Sequence, residues 1–256
     1  MNAPANIAPD RADAARASAA LFFAGAQVIA GQASRIFGGG RPIEKRALDT
    51  DNPVIPFPPA FAIWGPIFGA NLAHAARGYA RRDEPLIRRT GWLSAAALAG
   101  DTAWELWTQY RGIGWKSVAI ITATAAAATA ATLVAERADE DEPSRALVLN
   151  SMAPLAGWVT VATAADLGSA RLTEGGSTAP EAQTKAAVQL VLGASAVAAG
   201  VSHAARGDLR YAGAAGWGLA NIVVRNMIDR NRPVTLAALA GLAAVAGVTA
   251  LARRRA

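Results

Sequence analysis

Long apolar stretches broken by short charged ones set the rhythm of this chain. Uncharged runs occupy 17–34, 53–76, 117–135, 146–165, 186–205 and 233–252. Most reach the roughly 18–20 residues that a helix needs to cross a bilayer. Ala dominates several of them and is only weakly lipophilic, so a soluble Ala-rich bundle is the competing reading. Such a bundle would carry strongly polar faces at helical spacing. Residues 117–135 and 233–252 carry nothing stronger than Ser and Thr. The pattern therefore predicts an all-α, multi-pass transmembrane bundle of about eight helices. Their expected spans are about 17–34, 58–80, 91–110, 115–135, 146–168, 184–204, 209–226 and 233–252. A polar tail over 1–14 precedes them, and a basic RRRA closes the chain.

The stretch Asn52–Tyr79, NPVIPFPPAFAIWGPIFGANLAHAARGY, breaks the helical rhythm most sharply. Prolines at 53, 56, 58 and 59 make a stiff, irregular lead-in that is neither helix nor central strand. Trp64 at the head of the following apolar run suits a membrane interface. Gly65, Gly69 and Ala73 recur every fourth residue and leave one smooth helix face. That face suits packing within the chain or a homodimer contact.

Composition changes the picture only in part. A hydrophobic share of 53 % and a mean hydropathy of +0.23 agree with a membrane protein. The net charge of +6 would suggest nucleic acid in a soluble protein. Here the arginines sit in short loops beside apolar runs, where flanking positive charge is expected, so no nucleic-acid partner is predicted. With eight spans both termini share a side with slightly more than half of the basic residues. That bias points to cytoplasmic termini in a cell inner (plasma) membrane. Absence of Cys removes disulfides, thiolate nucleophiles and Cys-ligated clusters. Two distant histidines, His74 and His203, suit neither a zinc site nor, at helix ends, haem ligation.

The third span holds the most informative chemistry. Asp101, Trp104, Glu105 and Thr108 fall at i, i+3, i+4 and i+7 and share one face. Carboxylates inside an apolar span are costly and usually face a cavity or a partner. They read as a polar ligand contact or a proton-linked site, or else as partners of an Arg from another helix. In the fifth span Pro154, Trp158, Ala162 and Asp166 form an i+4 ladder. Trp158 lies mid-span, as core or as a surface on which a ligand stacks. Trp217, Asn221 and Arg225 repeat the spacing in the seventh span, and Arg225 is one candidate counter-charge for Asp101 or Glu105. No phosphate-binding glycine loop, nucleophile elbow or HExxH pattern occurs. No catalytic residue or metal ligand is assigned.

Three stretches, in order, resemble the tryptophan-rich sensory protein / translocator protein (TspO/MBR, peripheral-type benzodiazepine receptor) family. PPAFAIWGPIF resembles the family's PP-x-W-x-FGPVW segment at helix two. DTAWELWTQYRGIGW is similar to its helix-three pattern N-x-x-W-x-x-x-F, and APLAGWVTVATAAD to its helix-five pattern PYLAWVTFATxLN. The resemblance covers about 15–170. It implies a five-helix unit over 15–172 that binds porphyrins or other hydrophobic ligands between helices two, three and five. Three further helices, within 183–256, resemble a longer branch of the same superfamily.

Carried over residue by residue, the implied ligand-binding positions are Trp64, Phe68, Asp101, Trp104, Glu105, Thr108, Trp158 and Ala162. The implied ligand is a tetrapyrrole such as haem or protoporphyrin, with membrane lipid as the surrounding partner. Two family Asn positions are Asp101 and Asp166 here, Thr108 replaces an aromatic, and the aromatics of the proposed cholesterol motif are missing after Asp166. The implied role is sensing, regulation or transport. The alternatives are a proton-coupled transporter using Asp101 and Glu105, or a membrane enzyme acting on a tetrapyrrole or lipid.

Overall fold

A computed structural model describes residues 11–139, 141 and 143–255. Among them the only regular structure is helical. Among the described residues eight helices are long, and all but the first two are joined by short connections: α1 (Arg11–Ala30), α4 (Trp64–Ala80), α5 (Pro85–Arg111), α6 (Trp115–Glu136), α7 (Arg145–Thr173), α8 (Pro180–Ala204), α9 (Leu209–Ile228) and α10 (Arg232–Arg253). Two five-residue helices, α2 (Ala33–Phe37) and α3 (Ile43–Ala47), lie in the long loop after α1, and a 3-10 turn, Pro58–Ile63, leads into α4. The expected polar tail lies outside the described residues as far as residue 10. Residues 11–14 form the first turn of α1.

Local chemistry explains where the helices start. Pro85, Pro180 and Pro233 each occupy the first turn of a helix, where a missing N–H costs nothing. The Asp208 carboxylate caps α9 by accepting from the amides of Arg210 at 2.8 Å and Tyr211 at 2.9 Å. Helix α5 begins six residues before its expected start. Arg88 and Arg89 ride on its first turns because Arg88 donates to Asp13 of α1 at 2.6 Å. Asp13 also pairs with Arg16 at 2.8 Å, and both are almost fully buried. Gly91 makes room for them, since a β-carbon there would lie 2.3 Å from the Arg16 side chain.

Five helices close into a ring in the spatial order α1, α4, α7, α6, α5. Helix α1 packs on both α4 and α5, which touch each other at only a few points. Helices α8, α9 and α10 pack together and attach to α7 through α9 and α8. One continuous apolar core runs through both groups, and Leu149, Met152, Leu155 and Trp158 of α7 lie at its centre. At the α7–α9 crossing Gly157 allows backbone-to-backbone approach, because a β-carbon there would sit 2.3 Å from the Tyr211 carbonyl oxygen.

Four helices, α6, α7, α8 and α10, are long and apolar enough to cross a membrane. The other long helices are shorter, or carry charges that lower their average hydropathy. In α5 that average misleads, because Asp101 and Glu105 are each 1 % exposed and face inward. Its outer surface presents Trp92 and Leu106 instead. Phe22, Leu72, Leu192, Val197, Leu236 and Leu251 are likewise exposed on the other helices. Apolar side chains outside and polar ones inside suit a lipid environment.

The proline-rich lead-in is held from outside by α9. A proline-rich segment offers few amide donors, yet its carbonyls still need partners. Helix α9 supplies them: Asn226 donates to the Pro53 carbonyl at 2.8 Å, Arg225 to Ile55 at 3.3 Å and Trp217 to Ala60 at 2.9 Å. In return the Phe57 amide donates to the Asn221 carbonyl at 3.0 Å. Asn52 ties the other end to α7, donating to the Ala165 carbonyl at 2.8 Å and the Ser169 hydroxyl at 3.1 Å. Trp217→Phe keeps the ring and removes one of these bonds. It is expected to cost about 1 kcal/mol and to speed amide exchange over 54–60, measured by hydrogen–deuterium exchange.

Candidate functional site

Where the 3-10 turn passes into α4, Trp64 turns inward rather than toward an interface and is 9 % exposed. Its ring stacks on half-buried Phe68, one turn along α4, with centroids 5.4 Å apart. It also meets Trp104 of α5 at 6.1 Å and stands edge-on to Trp158 of α7 at 6.0 Å. Phe61 of the 3-10 turn meets Trp158 from another side, also at 6.0 Å. These separations suit favourable offset and edge-to-face contacts. The cluster spans the place where α4 and α5 scarcely touch, so side chains rather than backbones fill that gap. Ala162 follows Trp158 by one turn of α7 and is partly buried.

Helix α5 adds a polar edge. Asp101, Glu105 and Thr108 are all buried beside Trp104. A β-carbon at Gly31, just past α1, would lie 2.9 Å from Glu105 Oε1 and 3.4 Å from the Phe68 ring, which places that carboxylate next to the aromatic cluster. The Trp104 indole N–H donates to Asp166 Oδ2 at 2.8 Å, bracing α5 against α7 and fixing the ring.

Polar side chains elsewhere in the interior are mostly paired, although Arg16 Nε, His74 Nδ1, Arg82 Nε, Ser202 Oγ and Asn226 Oδ1 are also buried without a partner. Ser151 donates to Asn71 at 2.7 Å and Asn71 to Gln27 at 3.1 Å, forming a closed polar chain from α7 through α4 to α1. His74 bonds Ser94 at 3.2 Å, and Gln109 receives both the amide and the hydroxyl of Ser34. In the cluster the opposite holds. The indole nitrogens of Trp64 and Trp158, both carboxylate oxygens of Asp101, Glu105 Oε2 and the Thr108 hydroxyl are buried without a hydrogen-bond partner. Buried polar groups are normally paired, so such a concentration needs a reason.

The positions singled out in the sequence thus come together, with Ala162 at the margin. Arg225 does not neutralise them; it pairs with Asp229 at 3.4 Å. No ion pair reaches Asp101 or Glu105 among the described residues. Gly65 and Gly69 face outward, with nothing near enough to touch an added β-carbon, so that stripe does no packing within the chain. Phe61 and the bracing role of Asp166 were not legible as site features. The signals for Asp166 were its i+4 spacing from Ala162 and its match to a family Asn position in the resemblance. Several clefts lie elsewhere. One of about 610 Å³ opens between the loop around Pro53 and the ends of α8 and α9, and an apolar groove of about 640 Å³ runs between α6 and α8 over α7.

A lipid-suited helical bundle with an aromatic and acidic centre defines the class as a multi-pass helical membrane protein. The profile of the family described as TSPO-like protein matches residues 17–251, and the chain belongs to that family. The match runs from α1 to α10, so the last three helices lie inside it. No curated protein and no solved structure matches the chain.

Proposed function

We propose that the protein binds a porphyrin-like or other hydrophobic ligand between α4, α5 and α7, in the service of sensing, regulation or transport. The observation that carries this reading is the concentration of unpartnered polar atoms within a cluster of Trp and Phe from those three helices. Aromatic walls bury a flat apolar ligand, and a few polar groups orient it. Titrating purified protein with protoporphyrin should give saturable quenching of Trp fluorescence. Trp104→Ala and Trp158→Ala, followed by ligand absorbance, should each weaken binding roughly tenfold, about 1.4 kcal/mol. Quenching that never saturates would remove porphyrins as the ligand, and affinity unchanged in both variants would overturn the site.

A second reading, proton-coupled transport through Asp101 and Glu105, draws on the burial of both carboxylates without a counter-charge. Flux in proteoliposomes that ignores both a pH gradient and Asp101→Asn would dismiss it. The outward Gly65, Gly69 and Ala73 stripe is the candidate face for a second copy or for lipid, and the slight arginine bias supports cytoplasmic termini.

A further inference from the structure

The polar edge is acidic, and this constrains what the cluster accepts. Asp101 and Glu105 stand one helical turn apart, about 6 Å between β-carbons. Each is 1 % exposed, and neither has an ion-pair partner among the described residues. The arginines of the loop after α1 are occupied elsewhere: Arg35 by Glu44, Arg41 by Asp49, and Arg46 by Asp49 and the Gln109 carbonyl. Helices α4 and α7 bring the rings of Trp64, Phe68 and Trp158 to the cluster, and α7 adds the Asp166 carboxylate at the Trp104 indole. The faces of such rings carry negative potential and attract cations. Buried acceptors without donors beside electron-rich rings make a receptor for a cation that donates hydrogen bonds. A ligand carboxylate brought to the same place would meet two carboxyl groups and, among the described residues, no cation to pair with in a water-poor site.

We propose that the site selects apolar aromatic ligands bearing a protonated nitrogen that donates to Asp101 and Glu105, and discriminates against ligands bearing a carboxylate there. This deepens the reading of the cluster as a ligand site and rests on it. The ammonium or amidinium group lies against the two carboxylates and Thr108, and the aromatic body lies among the rings. The unpartnered indole N–H groups of Trp64 and Trp158 remain to meet acceptors at the ligand's far side.

A matched pair of probes tests this: 1-pyrenemethylamine and 1-pyrenecarboxylate, titrated into the purified full chain in one uncharged detergent, with energy transfer from Trp as readout. Protoporphyrin, a dicarboxylate, is titrated in parallel. The amine is expected to bind at least tenfold more tightly than the carboxylate. Asp101→Asn/Glu105→Gln should lose that preference while keeping its melting transition. Equal affinity for the two pyrenes, or a preference that survives in the double variant, overturns the proposal. Saturable protoporphyrin binding as tight as the amine's overturns the charge selectivity and leaves the ligand site standing. Failure of all three probes to bind overturns both. The wild-type comparison decides the matter even where the double variant does not fold.

Discussion

Gly157→Val is expected to lower thermal stability more than any other single substitution on the outer faces of the ring. The crossing of α7 and α9 is backbone against backbone at this point. Even one added carbon would lie 2.3 Å from the Tyr211 carbonyl oxygen and 3.0 Å from the Ala215 nitrogen. Neither group can rotate away as a side-chain tip can, so the helices must separate. Overpacking typically costs about 1–3 kcal/mol, and a rigid obstacle lies at the upper end. Separation would also pull α9 from the carbonyls of Pro53, Ile55 and Ala60 that it satisfies. Gly193→Ala, whose β-carbon meets nothing within 4 Å, is the matched control and should be neutral or slightly stabilising. Melting of both variants in the same detergent checks the contrast. Equal transitions would show that the crossing is not tight.

Asp13→Ala is expected to destabilise by about 3 kcal/mol or more. Asp13 accepts from Arg16 and Arg88, and Arg16 is 4 % exposed, so removing the carboxylate strands a buried guanidinium. Arg16 would keep only the Arg82 carbonyl, 2.7 Å away. Losing one member of a buried pair costs far more than the intact pair contributes, because the remaining charge is uncompensated. The contrasting case is Arg35→Ala, which breaks the exposed pair with Glu44 and should cost less than about 1 kcal/mol. Chemical unfolding of the two variants distinguishes them, and similar midpoints would refute the argument.

The helices were readable because the chain segregates its charges: an uncharged run of Ala, Leu and Val has little alternative to a helix in lipid. Their ends were less readable. Arg88 and Arg89 look like loop residues until α1 supplies Asp13 as a partner from 75 residues away. Likewise the polar residues 11–14 look like tail until burial against α5 gives them a role.

The site shows the same division. Asp101, Trp104, Glu105 and Thr108 share a face by spacing alone, and that face does turn inward. What spacing cannot supply is the neighbour. Trp217, Asn221 and Arg225 also share a face, and the natural guess paired Arg225 with the acidic helix. In the structure that face meets a proline-rich segment whose carbonyls need donors. Both patterns put their residues on one helical face, and only tertiary placement separates a face that meets the aromatic cluster from one that supports a loop.

Helix α1 lies between α4 and α5 and keeps their backbones apart. The width of the aromatic centre is therefore gauged by the thickness of one helix, about 10 Å with side chains. Both ends of this spacer are fixed, by Asp13 and Arg16 at its start and by the close approach of Gly31 to Glu105 and Phe68 at its finish. Anything that rotates or withdraws α1, including a rigid fusion continuing its axis beyond Arg11, would retune the bore of the site from a distance. Labels and tethers that must leave the aromatic cluster untouched belong at the other end of the chain.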